Sequence, residues 1–162
     1  MIEVTIETIQ VSLVSPHRIV VLKERGAERY LPIWIGACET EAISMQLQGV
    51  QPPRPMTHDL IVNLLDTLDA ELQYVLVSAL TNDTFYGRLV LNVGGEEIEV
   101  DCRTSDAMAV AVRVGVPIYV ADQVLEEAGV VPEESLLSEE AEGLDVFRDF
   151  LNRLDLDDIA TD

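Results

Sequence analysis

The chain has 162 residues, nearly half of them apolar, with ten basic and thirty acidic side chains and a formal net charge of −20. That length and composition fit one folded domain with a buried core and exclude disorder throughout. The charge weighs against nonspecific affinity for nucleic acid, which comes from neutralising phosphates with lysine and arginine.

The imbalance is uneven: residues up to Ala121 hold eight basic and sixteen acidic side chains, and the last 41 residues hold two and fourteen. Solubility, or a salty or hot habitat, accounts for such a bias; the alternative is a tail that masks a basic site or recruits a basic partner. No amino-terminal apolar run resembles a leader, because residues 1–14 alternate with charge. The longest apolar stretch, Ala107 to Ala121, holds Arg113 and Pro117 and is too short to span a bilayer. Cys38 and Cys102 make neither a disulfide framework nor a metal spacing. A cytoplasmic protein with no membrane attachment is expected.

In chain order, Ile2, Val4 and Ile6 alternate with Glu3, Thr5 and Glu7 in a strand over residues 2–14, and a slip of phase at Ile9, Val11 and Leu13 predicts a bulge or bend. Ser15-Pro16-His17 and Arg25-Gly26-Ala27 are turns, separating strands at Ile19–Leu22 and Tyr30–Ile35 in an antiparallel meander. Gly36 opens a helix with Ala42, Ile43, Met45 and Leu47 on its apolar face, ended by Gly49. Three prolines between Gln51 and Pro55 force a rigid loop. A second helix follows from about His58 to Asp69, with Leu60, Ile61, Leu64, Leu65 and Leu68 expected inward. Strands are predicted near 71–80, 84–93 and 96–103, the last two joined by the hairpin signal Gly94-Gly95. On the last strand Asp101 and Arg103 project to the same side. The helix from Ser105 to Val114 is apolar nearly all round, so it is expected to be buried in the middle of the fold. Pro117 to Val120 is a short strand, and Val124 to Ala128 a helical turn. Beyond residue 131 Leu144, Phe147, Leu151 and Leu154 recur at helical spacing in an acidic amphipathic tail, expected to dock on its own domain or on a partner.

Two blocks carry the candidate chemistry: Arg54-Pro55-Met56-Thr57-His58-Asp59 and Asp101-Cys102-Arg103-Thr104-Ser105-Asp106-Ala107. Thr57 reads as the N-cap of one helix and Thr104 or Ser105 as that of the next, with Asp59 and Asp106 in the first turns complementing the helix dipoles. Arg54, fixed between prolines, and Arg103, at a strand end beside a helix start, are placed to bind a phosphate or carboxylate, or else to lock loop to strand through internal Arg–Asp pairs. His58 is the candidate general acid or base, with His17 a weaker one. Asp59, Asp101 and Asp106, with Glu39 or Glu41, have the oxygen chemistry that Mg²⁺ or Mn²⁺ takes, although no D-x-D or H-x-E spacing accompanies them. There is no P-loop, G-x-G-x-x-G, C-x-x-C or nucleophile elbow, and eight aromatic residues in all offer no evident platform for stacking bases.

Further segments join these blocks: Leu31-Pro32-Ile33-Trp34-Ile35-Gly36, Glu41-Ala42, Phe85-Tyr86 and Pro117-Ile118-Tyr119-Val120. Together, in this order and spacing over roughly residues 1–130, the set resembles the bifunctional-nuclease domain family. The resemblance implies a compact α+β domain and an activity, reported for plant members, that degrades both DNA and RNA. The family's Arg-Pro-Ser-Asp block is here Arg103-Thr104-Ser105-Asp106, with the proline replaced. The additional carboxy-terminal interaction motif of the plant proteins is not recognisable in residues 131–162.

The expectation is therefore an α+β domain over residues 1–130, a mostly antiparallel or mixed β-sheet with packed helices, one of them buried, plus an acidic C-terminal helix over 131–162. Phosphodiester hydrolysis is the first functional reading: Arg54 and Arg103 hold the phosphate and stabilise its developing charge, His58 acts as general acid or base, and Asp59, Asp101 and Asp106 orient it or bind a divalent metal. The alternatives are a non-catalytic, homo-oligomeric partner-binding module whose polar blocks are structural pins, and a small-anion-binding module using the same two arginines.

Overall fold

A computed structural model describes residues 1–11 and 18–132. Within them the chain forms seven strands and four helices: β1 (Ile2–Val11), β2 (Arg18–Glu24), β3 (Tyr30–Ile35), α1 (Ala37–Leu47), α2 (Thr57–Thr67), β4 (Ala70–Thr81), β5 (Thr84–Val93), β6 (Glu96–Arg103), α3 (Thr104–Val114), β7 (Ile118–Val120) and α4 (Asp122–Ala128). All seven strands join one sheet in the order β3-β2-β1-β7-β4-β5-β6, antiparallel throughout except where β7 runs parallel to β4. The fold is α+β with a mixed sheet, as the element pattern implied. The expected tail helix and His17 lie outside the described residues.

The phase slip in the first strand is a bulge: the register with β2 shifts between Ile6 and Thr8. At the β5–β6 hairpin Gly94 and Gly95 both have positive φ, 61° and 91°, the pairing that a tight hairpin turn requires. β4 carries two further register shifts, at Leu72/Tyr74 and Val77/Ala79; across the first, its buried positions change phase from Ala70 and Leu72 to Val75 and Val77.

α3 organises the core. It packs on β4, β5 and β6 and is flanked by α1 and α2. Ala107, Met108, Ala109, Val110 and Ala111 are all buried, as expected for a helix with neighbours on nearly every side. The helix can lie this close to the sheet because Gly87 of β5 has no side chain: a Cβ there would come within 2.9 Å of the Thr104 backbone N and Cα.

Three local expectations need correction. Thr57 and Thr104 are the first helical residues, not caps; Met56 and Arg103 occupy the N-cap positions, and neither threonine hydroxyl caps its helix. Leu60, Leu64 and Leu68 do not point inward but are 53%, 51% and 69% exposed, because α2 turns His58, Ile61, Val62 and Leu65 towards the body. Leu47, near the end of α1, is likewise exposed, while Ala42 and Ile43 are buried. No described helix is long and apolar enough to cross a membrane.

Candidate functional site

The first turns of α1, α2 and α3 each carry a carboxylate as their third residue: Glu39, Asp59 and Asp106. An acid at this position complements the positive end of the helix and can reach back to the cap. Asp59 does so, accepting from the Met56 backbone N–H at 2.7 Å. The other two turn instead to Arg103. Its guanidinium donates from Nε to Asp106 Oδ2 at 2.8 Å and from Nη2 to Asp106 Oδ1 at 3.0 Å, and Nη2 also donates to Glu39 Oε1. His58 Nε2 lies 3.0 Å from the same Asp106 Oδ1. Side chains from three helix starts are therefore joined through Arg103 and Asp106.

The members differ in exposure. The side chains of His58 and Glu39 are 8% and 11% exposed, whereas Arg103 is 67% exposed and presents its outer face to solvent. Gly36 makes room for Glu39: a Cβ on it would meet Glu39 Oε2 at 2.2 Å. The Thr104 hydroxyl, directly after Arg103, is buried with no hydrogen-bond partner among the described residues.

Of the other sequence candidates, Asp59 sits beside His58 but faces away from Asp106, accepting from Arg113 Nε at 2.6 Å. Arg113 also donates to the Ala109 carbonyl and is 7% exposed. Asp101 stands on β6 opposite Arg88 in register, yet Arg88 pairs with Glu99, and no hydrogen bond joins Asp101 to the cluster. Arg54 is exposed and forms no ion pair with another described residue. The structure thus brings His58, Arg103 and Asp106 together, keeps Asp59 next to them through the chain, and leaves Arg54 and Asp101 outside the hydrogen-bonded group. Sequence reasoning passed over Arg113 and named Glu39 only as a metal candidate. The signal for Arg113 was its place as the one basic side chain on a buried helix, which has to be paired.

Burial pushes the Asp106 carboxyl up, but hydrogen bonds from Arg103 and His58 outweigh it and hold the group below its ordinary value of 3.8. For Asp59 the Met56 N–H, opposed by burial and aided by Arg113, has the same net direction. Arg103 is driven further towards its charged form by Asp106 and Glu39. Both aspartates release protons more readily folded than unfolded, so their contribution to stability is present above the unfolded value and is lost as pH falls through the folded one. Thermal unfolding followed from about pH 6 to about pH 2.5 should therefore show Tm falling below about pH 4, and Asp59→Asn should flatten part of that fall.

Burial, with the charges of Asp106 and Asp101, pushes the Cys102 thiol up to about 11, so it is protonated at neutral pH and is no nucleophile. Among the described residues no three His, Cys, Asp or Glu side chains form a group that could hold a metal ion. Glu39 and Asp106, the nearest carboxylates, are both committed to Arg103, so the donor set does not fit Mg²⁺ or Mn²⁺. An open groove of about 570 Å³ lies elsewhere, lined by β1, β7 and the ends of α1 and α3. Its lining is largely apolar, with Glu3 paired to Arg25, and no catalytic constellation faces it.

Residues 20–133 match the family model of the bifunctional nuclease domain. The chain is similar to an uncharacterised protein of Mycobacterium tuberculosis, 42% identical over 163 residues that cover 96% of each chain. It is similar to bifunctional nuclease 1 of rice, Oryza sativa subsp. japonica, at 29% identity over 133 residues, 76% of this chain and 40% of the rice protein. It is also similar to bifunctional nuclease 2 of Arabidopsis thaliana, at 30% identity over 110 residues, 65% of this chain and 33% of the plant protein.

Proposed function

The chain belongs to the bifunctional nuclease domain family, and from that premise we propose that it hydrolyses phosphodiester bonds in DNA and RNA at the Asp106–His58–Arg103 cluster. The observation that carries this reading is the sharing of one carboxylate by an imidazole and a guanidinium. An ionised Asp106 only accepts hydrogen bonds, so a neutral His58 that bonds to it carries its proton on Nε2 and keeps the lone pair on Nδ1. A carboxylate that fixes tautomer and ring orientation is what makes a histidine an effective general base towards water. Arg103 spends Nε and Nη2 on Asp106 and Glu39, which leaves Nη1 on its exposed side as a donor to a phosphoryl oxygen. Arg54, four residues ahead of His58 and free of described ion pairs, is the second phosphate contact. In the displacement, His58 takes the proton of the attacking water as the water oxygen bonds to phosphorus, the two arginines stabilise the charge developing on the phosphoryl oxygens, and the bond to the leaving oxygen breaks, that oxygen taking a proton from solvent. No step is routed through a metal.

A second reading is favoured by the same hydrogen bonds. Glu39, Arg103, Asp106 and His58 are all bonded within one cluster, and the His58 ring is 8% exposed, as expected of a pin that locks three helix starts in a partner-binding module. Cleavage of fluorescent single-stranded DNA and RNA by the native chain and by His58→Asn, purified in parallel, separates the two. Cleavage confined to the native sample supports hydrolysis at this cluster; cleavage by both places the chemistry elsewhere, and cleavage by neither leaves the pin.

A further inference from the structure

Phe85-Tyr86 has no part in the polar cluster, yet β5 sets Tyr86 beside one of its members. Phe85 packs against the core, while Tyr86 is 42% exposed. In the β5–β6 ladder Tyr86 stands directly opposite Arg103. Residues opposed in this way project to the same side of the sheet, with Cβ atoms about 4.5–5.5 Å apart. A phenol ring therefore rises next to the 67% exposed guanidinium. Among the described residues that ring makes no stacking or cation–π contact.

We propose that Tyr86 is a base-binding residue: its ring stacks on an unpaired base whose neighbouring phosphate Arg103 holds, so the substrate is a single strand of DNA or RNA. This rests on hydrolysis at the Asp106–His58–Arg103 cluster. An aromatic ring recognises the π-face of a base, which a duplex keeps within its own stack everywhere but at its ends. Every base has such a face, and stacking on it serves DNA and RNA strands alike. Electrostatics narrow the contact further. Asp101 and Glu99 precede Arg103 on the same side of β6, and Arg88, opposite Asp101, is paired with Glu99. A phosphate backbone is repelled along that line, so the strand meets the sheet at one stacked base and the phosphate beside it. In a chain of thirty acids and ten bases, the ring supplies affinity that charge does not.

Fluorescence anisotropy, read at mixing before turnover, tests this with a short labelled DNA strand, its RNA counterpart and the blunt DNA duplex. The native chain should bind either single strand more tightly than the duplex. Tyr86→Ala should weaken single-strand binding about 5- to 150-fold, with far-UV circular dichroism unchanged. Tyr86→Phe should recover the lost affinity, because the ring and not the hydroxyl stacks. If Tyr86→Ala fails to fold, Tyr86→Trp combined with Trp34→Phe decides the matter: position 86 then holds the one indole of the chain, and a base stacked on it should quench its fluorescence. Equal single-strand affinity in the native chain and Tyr86→Ala overturns the proposal. So does a duplex bound as tightly as the single strand, a native chain that binds no single strand, or an indole that the strand leaves unquenched. Failure of the hydrolytic reading looks different: binding that depends on Tyr86 without cleavage keeps the stacking site and removes the reaction, whereas cleavage by a chain whose binding ignores Tyr86 does the reverse.

Discussion

Replacing Asp106 by alanine is expected to remove about 2 kcal/mol of stability and to reduce cleavage about 10²–10⁴-fold. The two effects have separate causes. Stability falls mainly through His58, whose ring is almost fully buried and whose Nε2 would lose its acceptor at 3.0 Å; a buried donor without a partner costs about 1–3 kcal/mol. Arg103 contributes less, because it is largely exposed, still has Glu39, and can turn to water. At this chain length each kcal/mol moves Tm by about 2–4 °C, so a drop of about 4–8 °C is expected in a circular-dichroism melt. Activity falls further, because His58 loses the group that fixes its tautomer and Arg103 loses its fork-to-carboxylate anchor. Full activity in a destabilised Asp106→Ala would detach the cluster from the chemistry and leave it as a pin.

Gly87→Ala acts on the same cluster from beneath. The new methyl would sit 2.9 Å from the Thr104 N and Cα and 3.0 Å from the Arg103 carbonyl carbon. These are backbone atoms at the start of a buried helix, so they cannot rotate aside as the end of a side chain would. Overpacking of this kind costs about 1–3 kcal/mol. The strand-to-helix corner would also shift outward, carrying Arg103 away from Glu39 and Asp106. A Tm lower by about 2–12 °C is expected, with cleavage reduced by more than the loss of folded protein explains. Gly36→Ala is a useful contrast. It too meets a close neighbour, but that neighbour is the flexible carboxylate end of Glu39, which can move away at small cost.

The regular elements were legible because each kept its own period. The Gly-Gly hairpin, the proline loop, the apolar helix and the bulge in the first strand all left local marks. The outward ridge of α2 did not. Leu60, Leu64 and Leu68 are indistinguishable in sequence from core leucines, since hydrophobic periodicity reports an apolar face and not what covers it. The caps were misplaced by one residue because threonine before an apolar run usually caps, whereas here the carboxylate three residues into each helix takes on the electrostatic role. At the site, the shared face of Asp101 and Arg103 was read correctly as a pleat, but the pleat does not decide partners. Arg103, at the end of β6, reaches the next helix turn, while Asp101, two residues earlier, remains at the strand opposite Arg88. The Arg113–Asp59 pair spans 54 residues and depends on how α2 crosses α3, which no local pattern encodes.

The most direct measurement is the single-turnover rate of cleavage of a labelled single strand by the native chain and by His58→Asn, at equal concentrations of folded protein. Asparagine can keep a hydrogen bond to Asp106 but cannot accept a proton from water, so a rate lower by about 10²–10⁴-fold with Tm changed by only a few degrees is expected if His58 is the base. Equal rates in the two samples would contradict that role and remove catalysis from the Asp106–His58–Arg103 cluster.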